Sequence, residues 1–518
     1  MLAVYLASFV RSFITTKPYK ILSDEIEVFV KETETGREDV DEDDNGAAQL
    51  QPAPIEEVDI EEVTVYEEKG AQPWRTLLLG LPSPTSILLS IATVLTNLAL
   101  VTMVTDLVYR APALYPAHDL TFARVGYVSD HSASLLVREP RGSEYPLDLY
   151  YRYADDPRSE GLRPDDSWKH EHTVSWAHND TDFTSAITIS GLKPDTRYQY
   201  SVANHTGYFI TAPKVGQVSW RTDGKYTFLH SSCIKARFPY TPFQHPLHVP
   251  GFKHLAKWIP KLRAHFMLLL GDFIYIDVPR RLGTDAETYR REYRQVYASP
   301  EWPSVSDDLP WLHVIDDHEI ANDWDGNTTG VYQAAVDPWM HYQVAVNPPA
   351  VRSGETYFSF TQGPASFFLM DTRRYRSPEF DLKSEDETKT MLGQAQLADL
   401  LYWLQQPVPT GVKWKVVVSS IPFTKNWRVN NADTWAGYLA ERRKILEAMW
   451  EVGSTSGVGV VVLSGDRHEF AATSFPPPSN SRWPISATVH EFSTSPLSMF
   501  YLPVRTYEQK DEEDVCIK

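Results

Sequence analysis

The chain has 518 residues, of which 42% are hydrophobic and 12% aromatic, and a formal net charge of −19. This length allows two or three domains with large cores. The negative charge is local: residues 24–68 contain 18 acidic and 2 basic residues, a charge of −16 that leaves about −3 for all other residues. The remaining chain is therefore nearly neutral, carries no mark of a nucleic-acid-binding surface, and predicts no nucleic-acid partner.

The amino-terminal region, residues 1–75, is predicted to be a disordered acidic region. Its repeated acidic pairs and few aromatic residues cannot bury enough apolar area to offset chain entropy. The first 14 residues are apolar but include Arg11. They are compatible with a partial membrane segment or with an interfacial helix, and the sequence leaves both open.

The next segment, residues 76–108, is predicted to be a transmembrane helix with its flanks. No residue from Thr76 to Thr105 is charged, and residues 87–104 are rich in Leu, Ile, Val and Ala. The run is long enough to cross a bilayer. The rival interpretation is a buried helix of a soluble domain, but the position between an acidic segment and a separate folded region favours the membrane.

Orientation is predicted from charge and from glycosylation sequons. Basic residues are slightly more frequent before the span than after it, which favours a cytoplasmic amino terminus. Three Asn-x-Ser/Thr sequons follow the span and favour a lumenal or extracellular carboxyl-terminal part. We therefore expect a single-pass membrane protein. The residues concerned are Lys69 and Arg75 before the span, Arg110 after it, and the sequons at Asn179, Asn204 and Asn327.

Residues 119–222 are predicted to form a small all-β sandwich. Strand-like runs at residues 132–137, 147–153, 185–189 and 198–202 are separated by turns. Residues 191–200 resemble the corner of a fibronectin-type sandwich, where a Tyr hydroxyl bonds back to the main chain.

The remainder is predicted to be an α/β domain, residues 223–505, followed by an acidic tail, residues 506–518. Strands and helices alternate after Gly224, with amphipathic helices predicted around residues 284–298 and 392–404. The two cysteines, Cys233 and Cys516, are predicted to remain unpaired.

Four short segments in this domain carry metal-binding side chains directly after strand-like apolar runs. Polar residues past the carboxyl ends of strands converge on one crevice in an α/β sheet. Carboxylates with imidazole, thiolate and phenolate describe a site for iron, zinc, manganese or calcium. The runs are residues 226–229, 265–270, 311–315 and 458–463, and the segments are Ser232-Cys233, Gly271-Asp272-Phe273-Ile274-Tyr275, Asp316-Asp317-His318-Glu319 and Gly465-Asp466-Arg467-His468.

With these segments, residues 120–501 resemble the PhoD-like alkaline phosphatases of the metallophosphoesterase superfamily, relatives of the purple acid phosphatases. The resemblance implies an α/β/β/α sandwich of two sheets behind a small all-β domain, and hydrolysis of phosphate monoesters or diesters. It rests on seven motifs in the family's order: Ser-Ser-Cys (231–233), Gly-Asp-Phe-Ile-Tyr (271–275), Asp-Asp-His-Glu-Ile-Ala-Asn-Asp-Trp (316–324), Met-Asp-Thr-Arg-Arg-Tyr-Arg (370–376), Leu-Gly-Gln-Ala-Gln-Leu (392–397), Asp-Thr-Trp-Ala-Gly-Tyr (433–438) and Gly-Asp-Arg-His (465–468).

Asp272 is the first ligand candidate, because a carboxylate at a strand end can bridge two cations. The resemblance implies that Tyr275 supplies a phenolate and Cys233 a thiolate to iron. Without the resemblance, the alternatives are that Tyr275 packs in the core and that Cys233 is a small buried thiol. The implied cofactors are Fe³⁺ with Ca²⁺ or another divalent ion, with Zn²⁺ or Mn²⁺ as options.

The other implied ligands follow the matching motifs residue by residue. Asp317 takes the place of a metal-binding Asn, and His318 that of the residue facing the leaving group. Asp466 and His468 match the last motif. The family's Asn-rich stretch corresponds to Asn322 and Asp323, where the change of the second Asn to Asp leaves the ligand there open.

Basic residues near the site are the candidates for binding substrate. Arg373, Arg374 and Arg376 follow a predicted strand at residues 366–370, and a guanidinium fork suits a phosphate oxyanion. Arg373, Arg376 and Lys235 are therefore predicted to contact substrate, with Arg373 also counted as catalytic.

The expected chemistry is in-line attack of a metal-bound hydroxide on the phosphoester, with His318 assisting the leaving oxygen. Two other classes stay open. One is another metal-dependent enzyme, an oxidase or lactonase, using the same ligands; the other is a non-catalytic adhesion or receptor ectodomain on a decayed phosphatase scaffold. The near-complete ligand set argues against decay.

Overall fold

The structure is a computed structural model, and it describes residues 2–32, 56–154 and 167–517. The chain divides into two compact units, Met1–Thr105 and Asp106–Lys518. The predicted β-sandwich, the predicted α/β domain and residues 506–518 all lie in the second unit.

The first unit contains an antiparallel pair of strands between apolar helices. Residues 19–32 and 56–68, which include the described part of the predicted disordered acidic segment, form an antiparallel pair of strands. Residues 33–55 of that prediction lie outside the described residues. The elements are α1 (Leu2–Thr15), β1 (Tyr19–Glu32), β2 (Glu56–Glu68), α2 (Pro73–Leu79) and α3 (Ile87–Leu114).

Helix α3 is, among the described residues, the one helix that is long and apolar enough to cross a membrane by length and composition. It continues to Leu114, past the predicted boundary at residue 108. The division between the two units falls within it.

The second unit begins with two antiparallel sheets, ordered β3-β4-β7 and β6-β5-β8-β9. Tyr198, Tyr200 and Val202 alternate inward along one strand. The Tyr198 hydroxyl accepts a hydrogen bond from the Lys193 N–H at 2.9 Å, a contact between this Tyr and the main chain within residues 191–200. The strands are β3 (Phe122–Val128), β4 (Ser132–Arg138), β5 (Leu147–Tyr153), β6 (Lys169–Val174), β7 (Thr184–Ser190), β8 (Arg197–Val202) and β9 (His205–Ile210).

The rest of the unit is a mixed α/β fold with a four-stranded and a seven-stranded sheet. Its helices are α4 (Pro250–Leu262), α5 (Ala286–Tyr297), α6 (Pro303–Ser306), α7 (Tyr332–Tyr342), α8 (Gly393–Gln405) and α9 (Leu439–Thr455). Its strands are β10 (Leu229–Ile234), β11 (Met267–Leu270), β12 (Trp311–Val314), β13 (Phe358–Gln362), β14 (Ala365–Leu369), β15 (Trp414–Val418), β16 (Gly459–Ser464), β17 (Ala471–Phe475), β18 (Val489–Ser493), β19 (Pro496–Ser498) and β20 (Val515–Cys516).

The two sheets pack face to face. The smaller sheet has the order β12-β11-β10-β19 and the larger one β13-β14-β15-β16-β18-β17-β20. Leu268 and Leu270 of β11 join Phe367 of the larger sheet in one core cluster, whereas Met267 and Leu269 turn to the helices on the other side. The alternation buries both faces of β11 and gives the α/β/β/α arrangement that was predicted.

Contacts cross two of the predicted boundaries. The β-sandwich contacts the α/β part through Asp182, whose carboxylate accepts hydrogen bonds from Arg138 and Arg294 at 2.8 and 2.7 Å. Residues 506–518 contact the α/β part, since β20 pairs with β17 and the buried Asp514 carboxylate contacts Arg442 at 2.6 Å. Both contacts join segments distant in sequence, which local composition does not reveal.

Candidate metal centre

The candidate ligands come from the carboxyl ends of strands in both sheets. Asp272 follows β11, Asp317 follows β12, and Asp466 and His468 follow β16. Cys233 differs from the expectation: it lies inside the last residues of β10 rather than beyond the strand. Because β10, β11 and β12 are parallel, their ends meet at one edge.

The backbone at these positions is strained. Cys233, Asp272, Asp466 and His468 have φ angles of 63°, 57°, 78° and 55°, in the region that favours glycine. Gly271, at φ 94°, must be glycine, because a Cβ there would lie 2.3 Å from the Cβ of Asp316. Non-glycine residues held in this region cluster at functional sites, where surrounding structure maintains them.

One carboxylate oxygen, Oδ2 of Asp272, is the centre of the first ligand group. The Cys233 thiol donates to it at 3.3 Å and the Tyr275 hydroxyl at 2.9 Å. The Tyr275 oxygen also lies 2.9 Å from Nε2 of His468. Thiol, phenol, carboxylate and imidazole are thus directed at one small volume.

Burial favours the protonated form of the acidic side chains in the first group. It raises the pKa of Asp272 well above its usual value, and the neighbouring Asp317 and Asp316 carboxylates raise it further while His318 opposes them. Burial and the Asp272 charge likewise raise the pKa of Cys233 and that of Tyr275. A bound cation would replace these protons, because it makes the anionic form of each ligand favourable.

A second group shares this crevice. Ligand atoms of Asp316, Asp317 and Asp466 lie within 4.8 Å of one another, as do those of Asp272, Asp317 and His318. Burial raises the pKa of Asp466 to about 6, and Asp317 adds to this while Arg467 opposes it. Oδ2 of Asp316 is buried without a hydrogen-bond partner in the described structure, whereas Oδ2 of Asp466 lies 2.9 Å from Nε of Arg467.

His318 is held by a carboxylate that the sequence reasoning did not identify. Its Nδ1 lies 2.7 Å from Oδ1 of Asp277, and its ring stacks at a tilt on that of Tyr275, with centroids 4.1 Å apart. Burial alone would lower the pKa of His318, but Asp317, Asp272 and Asp277 raise it well above its usual value. The Tyr-x-Asp spacing in residues 275–277 was the available signal.

The loop after His318 places Asp323, rather than Asn322, near Asp317. Asn322 is exposed, and its N–H donates to Asp277 at 2.7 Å. The carboxylates of Asp323 and Asp433 are the ones that come within 4.8 Å of Asp317. Asp433 lies in the motif Asp-Thr-Trp-Ala-Gly-Tyr (433–438). No metal-binding role is predicted for it, because nothing in the local sequence shows that it returns to this crevice.

The basic residues predicted to bind substrate have other partners. Arg373 and Arg376 are fully buried. Arg373 donates to Asp316 and to Asp433, each at 2.6 Å, and Arg376 donates to Asp433 at 2.9 Å. Lys235 donates to the Tyr275 carbonyl at 3.0 Å and to Glu292 at 3.2 Å. These contacts pair all three cations within the protein, and a direct contact of any of them with substrate stays a prediction.

The residues present fit metal ions. Four overlapping groups of three ligands can be drawn through the crevice, the last being Asp317, Asp323 and Asp433. The acids outnumber the nearby cations, and Oδ2 of Asp316 is buried without a hydrogen-bond partner in the described structure. Hard oxygen donors suit calcium or another divalent ion, whereas the thiolate, phenolate and imidazole set suits a transition metal.

Comparison with known proteins identifies the same region. The family model described as PhoD-like phosphatase matches residues 228–517. The chain is 25% identical over 379 residues to alkaline phosphatase D of Bacillus subtilis (strain 168), covering 62% of this chain and 61% of that protein. The chain thus spans about three fifths of the length of this curated relative.

Two solved structures have a similar fold. The structure of PhoD superposes with a TM-score of 0.54 at 20% identity, covering 73% of this chain and 76% of that one. Purple acid phosphatase PPD1 from yellow lupin (Lupinus luteus) seeds gives a TM-score of 0.50 at 12% identity, covering 76% and 68%. At these identities the likeness concerns the fold.

Proposed function

The chain belongs to the PhoD-like phosphatase family, and we propose that it is a membrane-anchored, metal-dependent enzyme that hydrolyses phosphate monoesters or diesters. The observation that carries this proposal is the overlap of the ligand groups on Asp272 and Asp317. Residues shared between two groups can hold two cations a few ångströms apart, as two-metal phosphoester chemistry requires.

We assign the first group to iron. Cys233, Tyr275, Asp272 and His468 supply the donors, and the contacts between their donor atoms support the assignment. The second cation, calcium or another divalent ion, is assigned to the acids around Asp317. Bound cations lower the pKa of a water and offset the charge of the phosphoryl oxygens.

The protein's own groups then handle the leaving oxygen. Because Asp277 occupies Nδ1 of His318, the other ring nitrogen is left to donate a hydrogen bond or a proton to the departing alkoxide. Burial lowers the pKa of His318, but the Asp317, Asp272 and Asp277 carboxylates raise it and so favour the protonated ring that this step uses. Arg373 acts as a positioning residue by holding Asp316 and Asp433.

We further propose that α3 spans a membrane once, with the second unit lumenal or extracellular. Length and composition of α3 support the span, and the exposed positions of Asn179 and Asn204 suit glycans. Alkaline carbonate should fail to extract the protein, and a glycosidase should increase its mobility. Carbonate release of a protein without glycans would contradict the proposal.

The activity is tested with purified full-length protein in detergent. A panel of aryl phosphate monoesters and diesters is assayed for aryl alcohol release, and oxygen uptake is recorded in parallel. We expect metal-dependent release from at least one ester class and no oxygen uptake. Oxygen uptake without ester hydrolysis would favour an oxidase, and neither activity in metal-loaded protein would favour a non-catalytic ectodomain.

A further inference from the structure

A cleft of about 920 Å³ opens beside the metal centre. We call it the side cleft. His468 and Arg467 line one end, and the residues around β19 line its floor. Because β19 pairs with β10, the strand that carries Cys233, this floor continues the sheet edge at which the ligands meet. The side cleft is therefore continuous with the site through His468.

The walls of the side cleft are apolar and exposed. Phe470, Trp258, Leu502, Val504 and Tyr501 line it and are between 47% and 75% exposed. A contiguous patch of large apolar side chains on the surface of a folded protein commonly marks a binding site. Their concentration beside the metal centre calls for an apolar occupant.

The charges at the side cleft are already paired. Arg467 contacts the Asp466 carboxylate at 2.9 Å and donates to the Asn430 carbonyl at 2.8 Å. Glu469 accepts from the N–H and the hydroxyl of Thr506, both at 2.9 Å. Arg505 lies 3.9 Å from Glu469. These contacts leave the apolar walls as the main free surface.

We infer that the side cleft receives an apolar alkyl or aryl group esterified to the substrate phosphate, so that the preferred substrates are amphiphilic phosphoesters. This inference rests on the proposed function, because the phosphate must lie at the metal centre. Inorganic phosphate or a short polar ester fills none of the side cleft. An apolar group removes both its own surface and that of the walls from water, and this stabilises the complex.

The test compares substrates that differ only in chain length, at concentrations below micelle formation. One pair is methyl and octyl 4-nitrophenyl phosphate, and the other is 4-methylphenyl and 4-octylphenyl phosphate. We expect kcat/KM for the long member to exceed that for the short member by about tenfold or more in whichever class is hydrolysed, since burying two methylene groups supplies that factor.

Cleft variants separate this preference from general hydrophobicity. Tyr501→Ser with Val504→Ser removes two exposed walls, and Tyr402→Ser, on α8 and 64% exposed, is the matched control outside the side cleft. The double variant should lose most of the chain-length ratio and keep the rate on the short ester, while the control keeps both.

Three outcomes would overturn the inference. Equal rates on long and short esters would sink it and leave the phosphoesterase standing. A chain-length ratio unchanged in the double variant would place the apolar group elsewhere and leave the side cleft to another occupant, such as a protein segment. No hydrolysis of any ester by metal-loaded protein would remove the proposed function as well.

Discussion

Two buried aspartates of the second unit have opposite surroundings. Asp182 accepts hydrogen bonds from Arg138, Arg294 and Tyr342 at 2.8, 2.7 and 2.6 Å. Burial alone would raise its pKa, but the two guanidinium groups bring it below the usual value. Asp272 is also buried, and burial raises its pKa well above the usual value; His318 opposes this shift, whereas the Asp317 and Asp316 carboxylates add to it.

The difference distinguishes a carboxylate that supports the fold from one that binds a cation. Both side chains pay the cost of desolvation, and the guanidinium groups offset that cost for Asp182. The acids around Asp272 have too few internal cations, so the protein must keep protons there or bind metal. Buried and paired acids therefore indicate structure, whereas buried and crowded acids indicate a metal site.

The largest expected effect comes from Asp272→Asn. An amide cannot supply the bridging negative charge, so metal-dependent hydrolysis should fall by more than about a hundredfold. The variant should remain folded, because it removes a charge that the metal-free interior disfavours. Hydrolysis is measured on an aryl ester with circular dichroism as the folding control, and unchanged turnover in folded, metal-loaded variant would disprove the two-metal interpretation.

The matched variant Asp182→Asn should lower stability and leave turnover unchanged, which is the reverse of the effect expected for Asp272→Asn. It leaves Arg138 and Arg294 without their shared carboxylate, and breaking a buried ion pair from one side costs about 3–5 kcal/mol. We expect a lower free energy of unfolding by urea denaturation, with kcat of the folded fraction unchanged. A loss of kcat without a loss of stability would mean that pairing does not separate the two roles.

Substitution of the two iron-ligand candidates tests the first group. Cys233→Ser keeps the size but removes the thiolate, so iron retention should weaken by about tenfold or more and activity should fall with it. Tyr275→Phe should shift or remove a charge-transfer absorption band with little change in folding, because the ring still packs. If the protein is colourless and active and tolerates Cys233→Ser, Cys233 is a core residue and not an iron ligand.

The smallest expected effect is a pH-dependent change of stability in the metal-free protein. In the metal-free fold burial raises the pKa of Asp466 to about 6, whereas an unfolded Asp titrates near ~4. The folded state therefore binds more protons, and the stabilisation is complete below about pH 4 and is lost as the pH rises through about 6. Urea denaturation of chelator-treated protein should show a loss of about 3 kcal/mol across this window.

Metal-loaded protein is the control for this measurement. Bound cations favour the ionised carboxylates and should abolish the downward slope with rising pH. The same slope in metal-loaded and chelator-treated protein would place the titration outside the metal centre.

The sequence could predict those parts of the fold and site that are local. Apolar runs between turn residues located β11, β12 and β16 to within about two residues, because a buried strand needs only a short apolar run. Candidate ligands such as Asp272 and His468 could be predicted because they come soon after those strands. The family resemblance then supplied the role of Cys233, which as a lone buried thiol carries no signal of its own.

The parts that could not be predicted depend on distant contacts. Asp433 reaches Asp317 across more than a hundred residues, and no local pattern records that approach. The ion pairs of Arg373 with Asp316 and Asp433 join residues far apart in the sequence, so no local pattern predicts them. The pairing of β1 with β2 likewise joins two acidic segments that residues 33–55 separate, and composition alone does not indicate it.

The most direct test of the central claim is the metal content of wild-type protein, Asp272→Asn and Asp182→Asn purified in parallel, measured by elemental mass spectrometry beside ester hydrolysis before and after chelation. We predict at least two cations per wild-type chain, iron among them, with activity lost on chelation and restored by metal. Asp182→Asn should keep the cations and Asp272→Asn should lose them. A metal-free wild-type protein that hydrolyses phosphoesters at the full rate would contradict the claim that the crowded acids exist to bind metal.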